Sequence, residues 1–505
     1  MLITLTAPAF AETWYIENGD ITVKASGTEG KNTVSQGNKK DVEDTNTIIT
    51  NQNQDKASSH TVTIDANDKN DKVEVTLKDV NIDTSSRNKA AVSVTGSGNT
   101  TIKLDGDNAL KSDTYRSGIY GSGSLTISGG TVTANGDDGG HGIYSRGSIT
   151  ISGGSTVTAN GRSGTISGGD GIRSDGGVTI SGGTVNATGG NGGSIGGGSG
   201  IYSNGSVTIS GGTVTAKGGS GEDGYGGDGI RSSSGGVTVS DGTVTAKGGN
   251  GDSKDGYGGD GIRSGGVVTI SGNTVNAAGG YGGKVGGYGI CSFDRVAISG
   301  GTVEAAGGNG STGGGSGIYS SVIDLSGSLE LTAKAGSPTG KALLQNGSEL
   351  DLDTIKDKLG PGAKVTVTDA NGETKQVSIP RPVEPEEPVI PGESSSSSDG
   401  GSSAPSAPAS PLPGLTVTDK SGAVISYTST QSGNTLTICV GRFTASLRAS
   451  LSALRPLRAE GIETITFQTI LCSTTLSVDE LLAMGGEDAE AVLTHRLTDS
   501  SLTVG

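Results

Sequence analysis

The sequence is poor in the side chains that fill ordinary protein cores. Among 505 residues there are one Trp, four Phe, eleven Tyr and two Met, and the apolar residues together reach 30%. A chain of this length is long enough for several domains, but these residues cannot fill a wide core. Either much of the chain has no fixed structure, or its core is thin, repetitive and built from small side chains.

Other scarce residues exclude further classes of protein. Three His (His60, His141 and His495) leave little material for His-based catalysis or a zinc site. Three Cys are too few for a disulfide framework, and Cys439 and Cys472 could form one pair or two separate buried thiols. Thirteen Pro, with Gly not placed at every third residue, exclude collagen.

Charge and hydropathy restrict the partners. Lys and Arg number 36 against 52 Asp and Glu, a net charge of −16, which argues against binding to nucleic-acid phosphates. No run of 18 apolar residues occurs, so we predict no membrane span.

Residues 1–11 form an apolar run ending in Ala-Phe-Ala, which fits the back half of a secretory signal that begins upstream. A short buried strand is the alternative. We therefore expect a secreted or cell-surface protein.

Glycine is abundant, with 93 residues, and much of it lies in a repeat. The phrase Gly-Ile, followed by Tyr, Arg or Cys, occurs eight times, with Ile at 119, 143, 172, 201, 230, 262, 290 and 318. A second phrase, typified by VTISGGTVTA at 207–216, ends 15 or 16 residues after each of the first seven Ile residues. The remaining Gly-rich part varies from 9 to 16 residues. Constant length predicts paired backbone, and variable length predicts an exposed loop.

Within the constant part, β-branched residues alternate with hydroxyl residues, as in a half-buried strand. Three short strands per repeat describe one coil of a parallel β-helix, stacked about 4.8 Å from the next coil. The alternative, a glycine tract without fixed structure, does not explain why the apolar positions keep their register. The fold class we predict is all-β: a parallel β-helix, then a Pro/Ser-rich linker and a small α+β domain.

The predicted boundaries follow the changes in composition. We assign a partial signal peptide at 1–11, irregular N-terminal coils at 12–112, regular Gly-rich coils at 113–340, a cap with a hairpin at 341–379, a linker at 380–414 and an α+β domain at 415–505. In the last domain a stripe of Phe443, Leu447, Leu451, Leu454 and Leu457 predicts a helix, and residues 477–484 predict a second. The absence of a closing turn leaves open that the chain is truncated there.

The segments VTLKDVNIDTSSRNKAAVSVTGSGNTTIKLDGDNAL (75–110) and SGIYGSGSLTISGGTVTA (117–134) carry a family resemblance. Together they resemble a family of carbohydrate-binding β-helix surface proteins from clostridia and other gut Firmicutes, which share the architecture of pectate lyases without catalysis. The resemblance covers roughly residues 60–330. It implies extracellular binding of glycans such as plant cell-wall polysaccharide, with calcium in some relatives. The family's ligand-contacting residues match no single positions here.

One outward column of the predicted β-helix carries the candidate ligand site. The residues after Gly-Ile are Tyr120, Tyr144, Arg173, Tyr202, Arg231, Arg263, Cys291 and Tyr319. Aromatic rings pack against sugar rings, and Arg binds hydroxyls or uronate carboxylates, so this column suits an extended and possibly acidic polysaccharide. Alternatively, the Tyr and Arg side chains only cover the sheet and stack on each other. Asp170, Asp228 and Asp260 precede Gly-Ile only in the Arg coils, which predicts exposed Asp–Arg pairs.

Acidic residues in the Gly-rich loops suggest calcium as a cofactor. GGSGEDGYG at 218–226 matches one calcium-binding nonapeptide, and the candidate ligands are Asp223, Asp228, Asp255 and Asp260. Asp between glycines is also typical of tight turns, so both interpretations stay open. Thr-x-Thr pairs such as Thr213 and Thr215 resemble ice-binding solenoids, but Asn186 and Asn276 interrupt that column.

Repetition favours binding over catalysis. A reaction centre needs one non-repeating group of residues, whereas the conspicuous polar features here recur in three or more coils. We therefore predict a non-catalytic, monomeric β-helix that binds polysaccharide. The alternatives are a structural adhesin or stalk without glycan binding, and a pectin-active polysaccharide lyase.

Overall fold

The computed structural model describes residues 11–26, 30–114, 116–380, 414–419, 422–432, 434–440, 442, 444–469, 473–486, 489–496 and 499–504. The chain divides into two compact units, residues 1–386 and 387–505. Residues 1–10 of the predicted signal peptide and residues 381–413 of the predicted linker lie outside the described residues. Among the described residues, no helix combines the length and apolar character that a membrane crossing requires.

The first unit is a parallel β-solenoid of about 14 turns, which confirms the predicted fold class. Its N-terminal coils contain β1 (Thr13–Tyr15), β2 (Ile21–Ala25), β3 (Asn32–Gln36), β4 (Lys39–Asp44), β5 (Ile48–Thr50), β6 (Val62–Ala66), β7 (Lys72–Lys78), β8 (Asn81–Asp83), β9 (Val92–Gly96) and β10 (Asn99–Thr114), with a 3-10 helix at Ile16–Asn18.

The regular coils follow. They contain β11 (Ile119–Gly121), β12 (Ser124–Asp137), β13 (Ile143–Ser145), β14 (Ile149–Ser152), β15 (Thr156–Asn160), β16 (Ile172–Ser174), β17 (Val178–Thr188), β18 (Ile201–Ser203), β19 (Val207–Lys217), β20 (Ile230–Ser232), β21 (Val237–Lys247), β22 (Ile262–Ser264), β23 (Val268–Ile270), β24 (Thr274–Ala278), β25 (Ile290–Ile298), β26 (Gly301–Ala306), β27 (Ile318–Leu325) and β28 (Leu329–Lys334).

Three parallel sheets run along the regular solenoid, and each repeat keeps its register. The short strand after Gly pairs with its equivalent in the next coil, for example Ile172 with Ile201. The long strands contribute to two sheets, because the chain bends at the SGG phrase. At Gly212 this bend has a φ of +84°, a left-handed conformation that favours glycine.

The core is a set of apolar columns. In one coil Ile201, Val207, Ile209, Val214 and Ala216 all point inward and are fully buried, and the same positions are buried in the neighbouring coils. Burying a Val or Ile side chain contributes roughly 1.5–3 kcal/mol. The alternation of small apolar side chains therefore produces the thin, continuous core that the composition predicts.

The Gly-rich segments differ from the exposed loops predicted for them. Their two arms pack against each other and against the neighbouring coils: the Gly198 amide donates to the Gly190 carbonyl at 2.9 Å, and the Gly190 amide donates to the Gly169 carbonyl at 2.8 Å. A Cβ atom on Gly198 would lie 2.0 Å from the Gly169 oxygen. Only glycine allows this approach of backbone to backbone, so the arms are buried and the tips alone are exposed.

Antiparallel strands close both ends of the solenoid. At the N-terminal end β3 pairs with β2 and β4, and the Trp14 indole donates from Nε1 to Asp44 at 2.8 Å beneath them. The C-terminal cap contains β29 (Leu343–Gln345), β30 (Ser348–Glu349), a 3-10 helix at Leu352–Lys358, β31 (Lys364–Thr368) and β32 (Thr374–Ser378). The last two strands form the hairpin predicted around Asn371 and Gly372. Such hairpins protect the open sheet edges.

The second unit is a small α+β domain. It contains β33 (Leu415–Thr418), β34 (Val424–Ile425), β35 (Thr428–Ser432), β36 (Thr435–Cys439), β37 (Ala445–Ser450), α1 (Leu451–Ala459), β38 (Thr464–Gln468), β39 (Ser473–Ser477), α2 (Val478–Met484), β40 (Glu490–Arg496) and β41 (Asp499–Val504). The described strands form a five-stranded and a four-stranded sheet.

The first predicted helix of this domain begins later than its apolar stripe suggests. Leu447 lies in β37, where it pairs with Leu493 of β40. The helix begins at Leu451, because the Ser450 hydroxyl accepts a hydrogen bond from the Ala453 amide and caps the first turn. Phe443 and Cys472 lie outside the described residues. Cys439 is a free, partly buried thiol whose Sγ donates to Oε1 of Gln468 at 3.6 Å, so the alternative in which it pairs with Cys472 is wrong.

Candidate functional site

The residues after Gly-Ile form one line across consecutive coils. Tyr120 pairs with Tyr144, Tyr144 with Arg173, and Arg173 with Tyr202, and the register continues through the later coils. The Tyr/Arg ladder is defined by Tyr120, Tyr144, Arg173, Tyr202, Arg231, Arg263 and Tyr319, and all seven side chains are partly exposed. Cys291 occupies the same column, in register with Arg263 and Tyr319, but it is fully buried, so this coil presents no exposed side chain in the column. Burial raises the pKa of the Cys291 thiol.

Neighbouring side chains of the ladder stack on one another. The Tyr120 and Tyr144 rings meet edge to face with centroids 5.6 Å apart. The Arg173 guanidinium lies between Tyr144 and Tyr202, 5.9 and 4.5 Å from their ring centroids, and Arg231 lies 5.7 Å from Tyr202. Such contacts contribute about 0.5–1 kcal/mol each at exposed sites. From Tyr120 to Arg231 the ladder is therefore a continuous stack with little freedom for its individual side chains.

The Tyr/Arg ladder continues onto aromatic residues outside the column at its C-terminal end. Arg263 lies 5.0 Å from the Phe293 ring centroid. Tyr319 stacks on Tyr288, with centroids 5.0 Å apart and an interplanar angle of 14°. Phe293 is 53% exposed and follows Cys291 by two residues. The sequence pattern missed Phe293 and Tyr288, because neither has an equivalent aromatic residue in most other coils.

The predicted Asp–Arg pairs are present within each coil. The carboxylates of Asp170, Asp228 and Asp260 lie 3.1, 3.5 and 3.0 Å from Nη1 of Arg173, Arg231 and Arg263. The expectation that these pairs are exposed is wrong for the carboxylates, whose side chains are only 4–8% accessible, against 33–41% for the three Arg. The surface therefore presents guanidinium groups with the carboxylates beneath them.

The buried carboxylates also connect successive coils. Oδ1 of Asp170 accepts the amide hydrogen of Ser199 at 2.7 Å, Oδ1 of Asp228 accepts that of Asp260, and Oδ1 of Asp260 accepts that of Tyr288, both at 2.7 Å. His141 occupies the position equivalent to these Asp residues one coil before Asp170, and its Nδ1 accepts the Asp170 amide hydrogen at 2.8 Å. Each of these side chains satisfies an amide that is otherwise unpaired at the coil corner.

Burial shifts the titration of these groups. Desolvation and the nearby Asp228 charge raise the pKa of Asp260 to about 7, against the lowering effect of Arg263. Desolvation likewise raises the pKa of Asp228. Desolvation lowers the pKa of His141, which agrees with an unprotonated Nδ1 that accepts a hydrogen bond.

The four candidate calcium ligands occupy two different environments. Asp223 and Asp255 are exposed in the loop tips, whereas Asp228 and Asp260 are buried and bonded to Arg and to backbone amides. Across the described residues, no three His, Cys, Asp or Glu side chains are grouped so that they could hold a metal ion. Calcium binding in these loops stays a prediction.

A second surface lies on the tips of the Gly-rich loops. We define the loop-tip surface by Ile166, Ile195, Tyr225 and Tyr257, together with a groove of about 480 Å³ beside them. The groove is lined by side chains of Asp138, Ser163, Asn191, Ser194, Glu222 and Asp223. The sequence pattern missed this surface, although large apolar residues in a Gly-rich loop are an available signal.

One family model matches the chain, over residues 43–314, and its description is carbohydrate-binding domain-containing protein. The match covers the loop-tip surface and the Tyr/Arg ladder up to Arg263, but not Tyr319. No curated protein and no solved structure matches the chain. Because the matched segment is more than half of the 505 residues, the chain belongs to the family of carbohydrate-binding domain-containing proteins.

Proposed function

We propose that this protein is secreted or displayed at a cell surface, where it binds an extended polysaccharide along the Tyr/Arg ladder without catalysing a reaction. Family membership supports a carbohydrate as ligand. The resemblance to β-helix surface proteins of clostridia and gut Firmicutes supports an extracellular glycan, and plant cell-wall polysaccharide is the class that it favours.

The observation that carries this proposal is the alignment of the ladder. A Tyr or Arg projects from seven of eight successive coils, with Cys291 in the remaining one, and coils spaced about 4.8 Å apart give a line about 34 Å long from Tyr120 to Tyr319. A linear polymer can contact such a line at several successive sugar rings. Stacking and the Asp–Arg pairs already restrict the side chains, so binding costs less conformational entropy than it would for free side chains.

The charge of the ladder favours an acidic polymer. Arg173, Arg231 and Arg263 present their guanidinium groups at the surface, above carboxylates that are almost inaccessible. Each guanidinium has five N–H donors and uses only some of them on its Asp partner, so donors are available for a uronate carboxylate. Polygalacturonate is therefore the polymer we use as the acidic probe.

The repeated form of the ladder supports binding rather than catalysis. A polysaccharide lyase concentrates its catalytic groups at one place, whereas the Asp–Arg pair occurs in three coils with similar geometry. Release of unsaturated uronate products from pectin would contradict this part of the proposal. Export of a chain with a restored upstream signal, followed by cleavage after Ala11, is the result expected for secretion.

Affinity electrophoresis in gels containing polygalacturonate tests the ladder. The triple variants Tyr120→Ala/Tyr144→Ala/Tyr202→Ala and Arg173→Gln/Arg231→Gln/Arg263→Gln should each lose most of the retardation seen with the natural chain. Arg162→Gln/Lys217→Gln/Lys247→Gln removes the same charge from exposed positions outside the ladder and should be retarded normally. Unchanged retardation of both ladder variants would mean that the side chains only cover the sheet, as in a structural stalk.

A further inference from the structure

The loop tips expose more large apolar side chains than any other part of the described solenoid. Seven large hydrophobic side chains are exposed among the described residues of the first unit, and three of them belong to the loop-tip surface. They are Ile166, Ile195 and Tyr225, with exposed fractions of 58, 62 and 61%, whereas Tyr281, 46% exposed, lies on the other arm of its loop. Exposed apolar side chains grouped in this way typically mark a binding surface.

Hydrogen bonds hold the tips of successive coils in register, and they place Ile166 and Ile195 in one column and Tyr225 in the adjacent column. The Ile195 amide donates to the Ile166 carbonyl at 2.9 Å. In the next coil Tyr225 pairs with Gly196, and the Gly197 amide donates to the Tyr225 carbonyl at 2.9 Å. Backbone pairing therefore fixes the positions of these apolar residues on the tips, although they occupy two adjacent columns and not one line.

Tyr225 presents one open ring face. Its other face stacks on Tyr257, with centroids 5.3 Å apart and an interplanar angle of 27°. Tyr257 is covered on its far side by the Lys284 ammonium, 5.6 Å from the ring centroid. On the opposite side the residue aligned with Tyr225 is Gly196, which has no side chain to cover the ring.

A groove on the same loop tips supplies hydrogen-bonding groups, and its lining includes Glu222 and Asp223, which precede Tyr225 by three and two residues. It extends over the tips of four coils, and its polar side chains include the carboxylates of Asp138, Glu222 and Asp223 and the amide of Asn191. Its volume of about 480 Å³ lies in the range of small-molecule sites, about 300–1,000 Å³. An aromatic face next to hydroxyl, amide and carboxylate groups matches a sugar ring, which has apolar faces and a hydroxyl rim.

We propose that the loop-tip surface is a second carbohydrate-binding site, which takes a neutral glycan with one pyranose ring on the open face of Tyr225. This inference rests on the carbohydrate-binding role proposed above. The carboxylates of the groove repel a uronate polymer, and they also disfavour an anionic membrane or a second copy of a chain whose net charge is −16. A neutral, hydroxyl-rich ligand is free of that repulsion.

Titration calorimetry with a neutral probe, soluble xyloglucan, and an acidic probe, polygalacturonate, tests this site in the full chain. Tyr225→Ala should weaken xyloglucan binding about threefold to tenfold, because a stacking contact is lost, and leave polygalacturonate binding unchanged. Tyr225→Phe keeps the ring face and should bind like the natural chain. Tyr281→Ala removes an exposed Tyr on the other arm of a loop and serves as the matched control.

The outcomes separate this inference from the function of the ladder. If the natural chain binds polygalacturonate but not xyloglucan, the proposal of a loop-tip site is wrong and the proposal that the ladder binds polysaccharide is retained. If xyloglucan binding is insensitive to Tyr225→Ala in a variant with an unchanged melting curve, the site is again wrong. If neither polymer binds and a wider set of glycans also fails, both proposals are wrong.

Discussion

The Tyr/Arg ladder and the loop-tip surface arise from the same coils but have opposite character. The ladder lies on strands of constant length, its side chains stack on one another, and its outer atoms are cationic because the carboxylates are buried. The tips lie on segments of variable length and combine exposed carboxylates with an open aromatic face. A solenoid can thus present two surfaces of different charge without changing its core.

The difference shows how position in the coil determines the role of a charged residue. Asp260 lies at the end of a Gly-rich arm, where a backbone amide of the next coil needs a partner, so its side chain is buried. Asp223 lies only five residues before Asp228 but at the tip, where water solvates it. The same residue type therefore contributes to stability at the end of an arm and to surface charge at the tip.

The largest effect is expected from disrupting the glycine arms on which the tips depend. Gly198→Ala places a Cβ about 2.0 Å from a carbonyl oxygen of the adjacent coil, and we expect a loss of about 3 kcal/mol or more in the free energy of unfolding. Urea denaturation measures it. Gly182→Ala, at a position with open space around the added Cβ, is the control and should be nearly neutral. Equal stability of the two variants would contradict the packed arrangement of the arms.

A smaller effect on stability is expected from a change of pH, and it arises at Asp260, the partner of Arg263 in the Tyr/Arg ladder. Burial and the Asp228 charge raise the pKa of Asp260 in the folded state to about 7, from the ordinary Asp value of 3.8, so the folded solenoid binds the extra proton more tightly than the unfolded chain. This contribution to stability is complete below about pH 4 and is lost as the pH rises towards 7. Asp228, Arg263 and Tyr288 are the neighbouring groups that influence Asp260.

Melting temperatures measured between pH 4 and pH 8 test this prediction. Asp260→Asn keeps an oxygen that can accept the Tyr288 amide hydrogen and removes the ionisable group, so its melting temperature should fall less with rising pH. Asp255→Asn removes an exposed carboxylate and should keep the slope of the natural chain. Identical slopes in all three proteins would contradict the assigned pKa.

The smallest effect is expected from calcium at the tips. If Asp223 and Asp255 bind calcium, millimolar calcium should raise the melting temperature by only about 1–2 °C, because weak binding stabilises little by mass action. Asp223→Asn/Asp255→Asn should abolish that rise. A melting curve that is the same with calcium and with a chelator would mean that the acidic residues of these loops only form turns and bind no calcium.

Much of the solenoid could be predicted from the sequence, because the side chains of a strand alternate with a period of two. Ile201, Val207 and Val214 each recur at a fixed place in the repeat, and all three are buried as predicted. The Gly-rich arms could not be predicted in this way, because a glycine buried by backbone contact has no side chain to mark it. Variable length correctly located the tips and wrongly suggested that the whole segment is exposed.

The candidate sites were predicted less completely than the fold. The Tyr/Arg ladder is visible in the sequence because it repeats, and the Asp–Arg pairing is visible because the two residues occur together. The burial of Asp170 is not visible, since it depends on the amide of Ser199 in the next coil. The loop-tip surface depends on the alignment of Tyr225 with Gly196, which does not stand out as a repeat in the sequence because the two aligned residues are of different types.

The uniform register has a consequence for how such a protein changes in length. Because β17, β19 and β21 pair in the same way with their neighbours, a duplicated copy of residues 201–229 would offer matching edges to the coils on both sides. One duplication would extend both surfaces by about 4.8 Å and leave the two end caps untouched. Unequal recombination within the repeated gene segment would thus change the length of both surfaces in fixed steps of one coil.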